Sequence, residues 1–316
     1  MATLPPSFVA TVTATFADGA AWLARLDELR ASYAARWGLA LQPHFANLSF
    51  NYVAPCTMAD GTPAVLKLGV PTRELTGEIA ALWAYDGHGA ARLLTADAPG
   101  GALLIERLLP GTSLVGLAER DDAQATAIAA RVMRDSLIAA PDPAALIHQD
   151  DWTADLLTLK PHFGGTSGPY DLALVDTALA LRTRLLATTE RSVLVHGDLH
   201  HDNILLAGDD EWRLIDPKGV YGDAALQPAA FLHNPFDQIA AINDLRPLLA
   251  SRLTILADVM GVDRQRISDW ALVYALLGAW WSYQDGDQSE ASPANGQLRV
   301  ARALLELTKM RSTGPA

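Results

Sequence analysis

Along the first third of the chain the spacing of apolar positions changes twice. Trp22, Leu23, Leu26, Leu29, Tyr33 and Trp37 recur at helical intervals, and Gly38 suits the end of a helix over 19–38. Ahead of it, Pro5 and Pro6 predict an irregular start through residue 18. Short apolar runs then predict strands at 42–46, 49–55 and 64–68, the last two joined by a turn at Ala59-Asp60-Gly61. A helix over 72–87 follows Pro71, and two further strands are expected at 91–96 and 101–107. Beyond Thr112 the pattern is mostly helical, with helices expected at 121–140, up to about 159, 170–189, 237–257, 263–285 and 294–310.

Three apolar runs interrupt that helical half, at 193–195, 204–206 and 214–215, each short enough for a strand. A polar knot, His196-Gly197-Asp198-Leu199-His200-His201-Asp202-Asn203, separates the first two, and Asp216 follows the third. Carboxylates and an amide at the ends of buried strands are poor core material. They suit acid–base work or a hard cation, since Mg²⁺ takes oxygen ligands and few carboxylates. Turn-forming tendency alone would explain one Asp or Asn, but not all three in this order.

The order Asp198, Asn203, Asp216 resembles the catalytic loop of protein kinases, with His-Gly-Asp at its head and Pro217-Lys218 after the last aspartate. Those two departures are similar to aminoglycoside phosphotransferases. The longer strings, from His196 to Leu205 and from Ile215 to Asp223, resemble the streptomycin 6-kinase and hydroxyurea-resistance kinase branch of that superfamily.

The resemblance implies an α+β, bilobal, protein-kinase-like fold. A small, mainly antiparallel β-sheet lobe (1–108) would hold nucleotide, and a larger, mainly helical lobe (109–316) would carry catalysis and the acceptor. It also implies ATP and Mg²⁺, with Asp198 as the base that orients an acceptor hydroxyl. Asn203 and Asp216 would hold the metal and, through it, the nucleotide. Lys67 sits among apolar neighbours in the strand at 64–68, where its charge needs a partner. In the resemblance Lys67 holds phosphate oxygens and is fixed by a carboxylate of the next helix. Glu74 and Glu78 lie one turn apart there, and Glu78 is preferred because Ile79, Leu82 and Trp83 suggest an inward side. The hinge is expected at 106–109, beginning with Glu106. The turn 47–51 contains no glycine, and Ser49 is its candidate phosphate contact. His196 is expected to brace the loop, and Asp223 to tie it to the rest of the fold.

Half of the 316 residues are hydrophobic and 19% are charged, which fits a globular protein with a large core. The single Cys56 excludes an internal disulfide and reads as a packing residue. No leading signal or membrane span is visible, so a cytoplasmic location is expected. A net charge of −12 argues against nucleic acid and suits a small cationic acceptor. Asp150, Asp151 and Asp155, with Asp285, Asp287 and Glu290, are the candidate acids for such an acceptor. Trp270, Trp280, Trp281 and Tyr283 are read mostly as core. The expected reaction is transfer of the γ-phosphate to a hydroxyl of a streptomycin-type aminoglycoside or of hydroxyurea. Three alternatives stand beside it: a kinase of another metabolite alcohol or sugar, a non-catalytic nucleotide-binding module, and a zinc hydrolase built on His148, His196, His200 and His201 with Asp198 and Asp202.

Overall fold

A computed structural model of the chain describes residues 4–286 and 293–312. Helices α1 (Pro6–Thr15) and α2 (Gly19–Trp37) lead into β1 (Leu39–Leu41), β2 (Tyr52–Met58) and β3 (Pro63–Leu68). Helix α3 (Arg73–Tyr85) and strands β4 (Leu93–Asp97) and β5 (Ala102–Glu106) complete a small lobe. Its five strands form one antiparallel sheet in the order β1-β2-β3-β5-β4.

Alternation along β3 sorts its side chains between two cores. Ala64, Leu66 and Leu68 pack with Trp22, Leu26 and Tyr33 of α2, whereas Val65 packs with Leu75, Ile79 and Leu82 of α3. Lys67 therefore lies on the α3 side. Cys56 is fully buried in the α2-facing core.

The chain start departs from expectation. Instead of an irregular segment, Pro6 opens α1, where a missing N–H costs nothing because first-turn amides have no helical acceptor. Phe8 meets Trp22 edge-on at 6.4 Å between ring centroids. Gly19 permits this close approach, since a Cβ there would stand 2.1 Å from the Val12 carbonyl oxygen. The first strand also ends earlier than expected. Pairing continues past it more loosely, through Gln42 N to Pro55 O (2.9 Å) and Phe45 N to Val53 O (3.0 Å).

The larger lobe begins with α4 (Val115–Ala118) and α5 (Asp122–Ser136), then β6 (Ile147–His148), α6 (Gln149–Trp152), α7 (Leu159–His162) and α8 (Leu172–Ala187). Four short strands follow: β7 (Ser192–Val195), β8 (Ile204–Leu206), β9 (Trp212–Leu214) and β10 (Val220–Asp223). Helices α9 (Ala229–Leu232), α10 (Phe236–Ala241), α11 (Arg246–Met260), α12 (Arg264–Gln284) and α13 (Pro293–Ser312) close the chain. The single helix expected at 237–257 is thus two, with Pro247 in the first turn of the second. The β10 strand, absent from the sequence reading, pairs antiparallel with β7 and parallel with β6. It forms a platform beside the β8–β9 hairpin.

Helix α12 runs through the large core, with Trp270 and Trp280 buried, while Trp281 is only half-buried. Ala81 and Tyr85 of α3 belong to that same core, so α3 packs against both lobes. No described helix is long and apolar enough to cross a membrane.

Candidate active site

The small lobe contributes an ammonium. Lys67 is 3% exposed, and its Nζ lies 2.7 Å from Glu78 Oε1 and 3.2 Å from Asp216 Oδ1. Burying a lone charge is expensive, so a lysine here is tolerable only with partners at this range. Burial works against the charged form, but the carboxylates of Asp216 and Glu78 outweigh it and raise the Lys67 pKa. Glu74, one turn earlier on α3, reaches Lys218 Nζ at 3.4 Å instead. Trp83 does not share the inward side. It is 55% exposed, because five helical residues rotate it well away from Glu78.

The large lobe contributes the polar knot, which sits between the β7–β10 platform and the β8–β9 hairpin. His196 is fully buried and organises it. Its Nε2 faces the Ile215 carbonyl at 2.7 Å, an acceptor only, so that nitrogen carries the proton and Nδ1 accepts from Asp198 N at 3.2 Å. Burial lowers the His196 pKa to about 3, which keeps the ring neutral. Its backbone is tied at both ends, by His196 N to Gln227 Oε1 and by Lys218 N to His196 O, each 2.7 Å. Tyr274 of α12 donates to Gly197 O at 2.6 Å, fastening the next residue to the large core. Asp198 is thereby presented on a rigid turn. Burial pushes its carboxyl pKa up, and His200 and Lys218 oppose that rise.

Asp216 has φ +57°, a left-handed conformation uncommon for a non-glycine residue, of the kind that costs about 1–3 kcal/mol and persists where surroundings enforce it. Here Ile215 N bonds Asn203 O at 2.9 Å, and Lys67 holds the carboxylate. Burial would raise the Asp216 pKa, but Lys67 and Lys218 bring it below the usual range. Asn203 Nδ2 donates to Asp198 O at 2.9 Å, which turns its Oδ1 away from that carbonyl. One ionised carboxylate and one amide oxygen form a donor set that fits a hard divalent cation.

Zinc chemistry is not supported by the histidines. His201 is fully buried and stacked on Phe231, ring centroids 3.9 Å apart. Both His196 nitrogens are engaged, and His148 caps α6 through Asp150 N. Among the described residues, no group of three His, Cys, Asp or Glu side chains is placed to hold a metal.

Ser49 is exposed in the segment between β1 and β2. The Glu106 carboxylate accepts from Arg92 N (2.7 Å) and Arg213 Nη1 (2.8 Å), tying the end of β5 to β9. The acids considered for a cationic acceptor are already engaged: Asp150 with Arg182, Asp151 with Arg73 at 2.9 Å, and Asp155 with Trp281 Nε1 at 2.9 Å. Asp285 carries no such partner among the described residues, and Asp287 and Glu290 lie outside them. Asp223 ties β10 to α12, accepting from Arg266 Nε (2.5 Å) and Trp270 Nε1 (2.9 Å). Residue spacing gave no notice of Tyr274, Gln227 or Gln149, which supports β10 by accepting from Asp223 N at 2.7 Å. Lys218 was visible only as part of the Asp-Pro-Lys string.

With this geometry in hand, comparison with known proteins is decisive. The model of the aminoglycoside/hydroxyurea antibiotic resistance kinase family matches residues 36–286. This chain belongs to that family. The kinase is 35% identical to a hydroxyurea phosphotransferase of Kitasatospora aureofaciens, over 87% of this chain and 77% of the relative. It is 31% identical to a streptomycin 6-kinase of Streptomyces glaucescens, over 95% and 96% respectively. Its fold is that of a choline kinase, LicA, from Streptococcus pneumoniae (TM-score 0.63, 13% identity, 90% and 99% coverage). The aminoglycoside phosphotransferase APH(4)-Ia shares it too (TM-score 0.61, 16% identity, 90% and 99% coverage). The kinase is thus a small-molecule phosphotransferase with a protein-kinase-like fold.

Proposed function

We propose that the kinase transfers the γ-phosphate of ATP to a hydroxyl of a streptomycin-type aminoglycoside or of hydroxyurea, acting in the cytoplasm where ATP is supplied. The observation that carries this reading is the meeting of Lys67, Glu78 and Asp216 across the lobes, beside an Asp198 held by a braced turn. Relatives acting on streptomycin and hydroxyurea support the acceptor class.

In this reading the small lobe (1–108) takes the nucleotide, with its base against the backbone at the 106–109 hinge and Ser49 near the phosphates. Lys67 binds phosphate oxygens and Glu78 keeps its ammonium in place. Asp198 accepts a hydrogen bond from the acceptor hydroxyl, aligns its oxygen with the γ-phosphorus, and takes the proton as the new P–O bond forms. Asn203 and Asp216 would hold Mg²⁺, which when bound neutralises phosphate charge. His196 keeps the Asp198 turn in register without titrating, being neutral at any working pH.

One structural fact favours an uncharged acceptor over a polycation. Asp150 and Asp151 are balanced by Arg182 and Arg73, so neither offers a free negative charge to a cationic acceptor. Hydroxyurea meets that description. A screen for ATP consumption over hydroxyurea, streptomycin and small alcohols, with mass spectrometry of products, separates the readings. A phosphorylated product that vanishes in Asp198→Asn supports the assignment. ATP turnover that persists in that variant overturns it.

A further inference from the structure

Pro217-Lys218 replaces the Phe-Gly that follows the metal aspartate in protein kinases, and the reaction as described gives Lys218 no task. Yet the residue is built in from three sides. Its N–H donates to His196 O at 2.7 Å. Its Cβ would stand 3.0 Å from a Cβ on Gly197, and its carbonyl oxygen 2.7 Å from a Cβ on Gly77 of α3. Gly77 therefore leaves room for the Lys218 carbonyl, and Gly197 for Lys218 together with Val220. Only the end of the side chain is loose: it is 30% exposed and touches Glu74, itself 57% exposed, at 3.4 Å. That contact lies one helical turn along α3 from the Lys67–Glu78 pair.

Charge balance shows what is missing. The charge of Lys67 is already shared by Glu78 and Asp216. The turn at 47–51 supplies neither a cation nor a glycine for close backbone approach to phosphate. Phosphoryl transfer relies mainly on neutralising charge spread over the γ-phosphoryl oxygens. An exposed ion pair is worth only about 0–1 kcal/mol, so Lys218 is readily exchanged from Glu74 to a phosphate.

We propose that Lys218 is a second phosphate-binding cation, parked on Glu74 and delivered to the γ-phosphoryl oxygens when a triphosphate binds. The acceptor oxygen bonds to the γ-phosphorus, and the bond from that phosphorus to the β–γ bridging oxygen breaks. Asp198 receives the acceptor proton, and ADP leaves with the electron pair. Lys218 remains an ammonium throughout, donating hydrogen bonds to non-bridging oxygens.

The proposal rests on the kinase reading above, so its test uses nucleotide binding and needs no identified acceptor. Calorimetry on the full chain compares Mg²⁺-ADP with a Mg²⁺-bound non-hydrolysable ATP analogue. Lys218→Met is expected to weaken the analogue about tenfold, the loss of one charge-assisted contact, and ADP less than about twofold. Lys218→Arg should recover most of that loss. Glu74→Gln, which leaves the Lys218 backbone untouched, should tighten the analogue about two- to threefold and not ADP. Equal effects on both nucleotides, or none on either, overturn the γ-phosphate role. If Lys218→Met does not fold, Glu74→Gln decides alone. Failure of the wild type to bind either nucleotide would instead bring down the kinase reading itself.

Discussion

On one wall of the cleft, Lys67 and Glu78 have side chains 4% and 7% exposed, locked at 2.7 Å. On α6, the side chains of Asp150 and Asp151 are 59% and 56% exposed and pair with the buried Arg182 and the exposed Arg73. The first pair was made when α3 packed on β3, and losing Lys67 would leave the buried Glu78 without its ion-pair partner. The Asp151 pair sits in water, where screening leaves it about 0–1 kcal/mol, whereas Arg182 is 6% exposed and also donates to Thr153 O. In the proposed reading, donor handling is therefore written into the folding of the small lobe. The exposed Asp151 contact, by contrast, can change with little penalty to the fold.

That contrast can be broken in order of effect. Asp198→Ala and Asp216→Ala should each lower turnover about 10³-fold or more, with little change in Tm for Asp198→Ala, measured by product formation and thermal melting. Wild-type-like transfer in Asp198→Ala removes its role as base. Next, Glu78→Ala leaves the buried Lys67 with Asp216 alone and should cost about 1–3 kcal/mol in a denaturant titration. A loss under 1 kcal/mol would show that the buried pair and the exposed Asp151 pair do not differ in kind.

The buried histidines come third. Burial lowers the pKa of His196 and of His233 to about 3, below the 6.5 of an unfolded histidine. Between those values the unfolded chain binds more protons, so stability is complete above pH 6.5 and falls as pH drops. At pH 5 the loss is about 2 kcal/mol per histidine, readable from melts at pH 7.5 and 5. Equal stability at the two values would mean that these rings reach solvent. The smallest effects belong to the exposed acids: Asp150→Asn, Asp151→Asn and Asp155→Asn should each change acceptor kcat/KM less than about threefold. A tenfold loss in any of them would restore the acidic wall for a cationic acceptor.

The same contrast governs what could be read from sequence. Lys67 was legible because β alternation and a hydrophobic run leave a charged residue no alternative to a partner, and Glu78 because helical spacing placed it beside Ile79 and Leu82. Asp198, Asn203 and Asp216 were legible through their order between apolar runs. The engagement of the exposed acids was not, since Arg182 lies far along the chain from Asp150 and no local pattern joins them. β10 was missed for a similar reason. Val220-Tyr221-Gly222-Asp223 has little strand character of its own, and its identity comes from pairing with β6 and β7. α1 was hidden by the prolines that begin it.

The contact between Gly77 and Gly219 has a mechanical meaning. Gly219 has φ +69°, and a Cβ on it would lie 2.3 Å from the Gly77 carbonyl oxygen, so backbone rests on backbone where helix α3 meets the entry to β10. With no side chain between them to compress or rearrange, the two halves have a hard bearing point there. A wedge as small as one methyl group, Gly77→Ala, would prise them apart and separate Lys67 from Asp216 without altering a single charge.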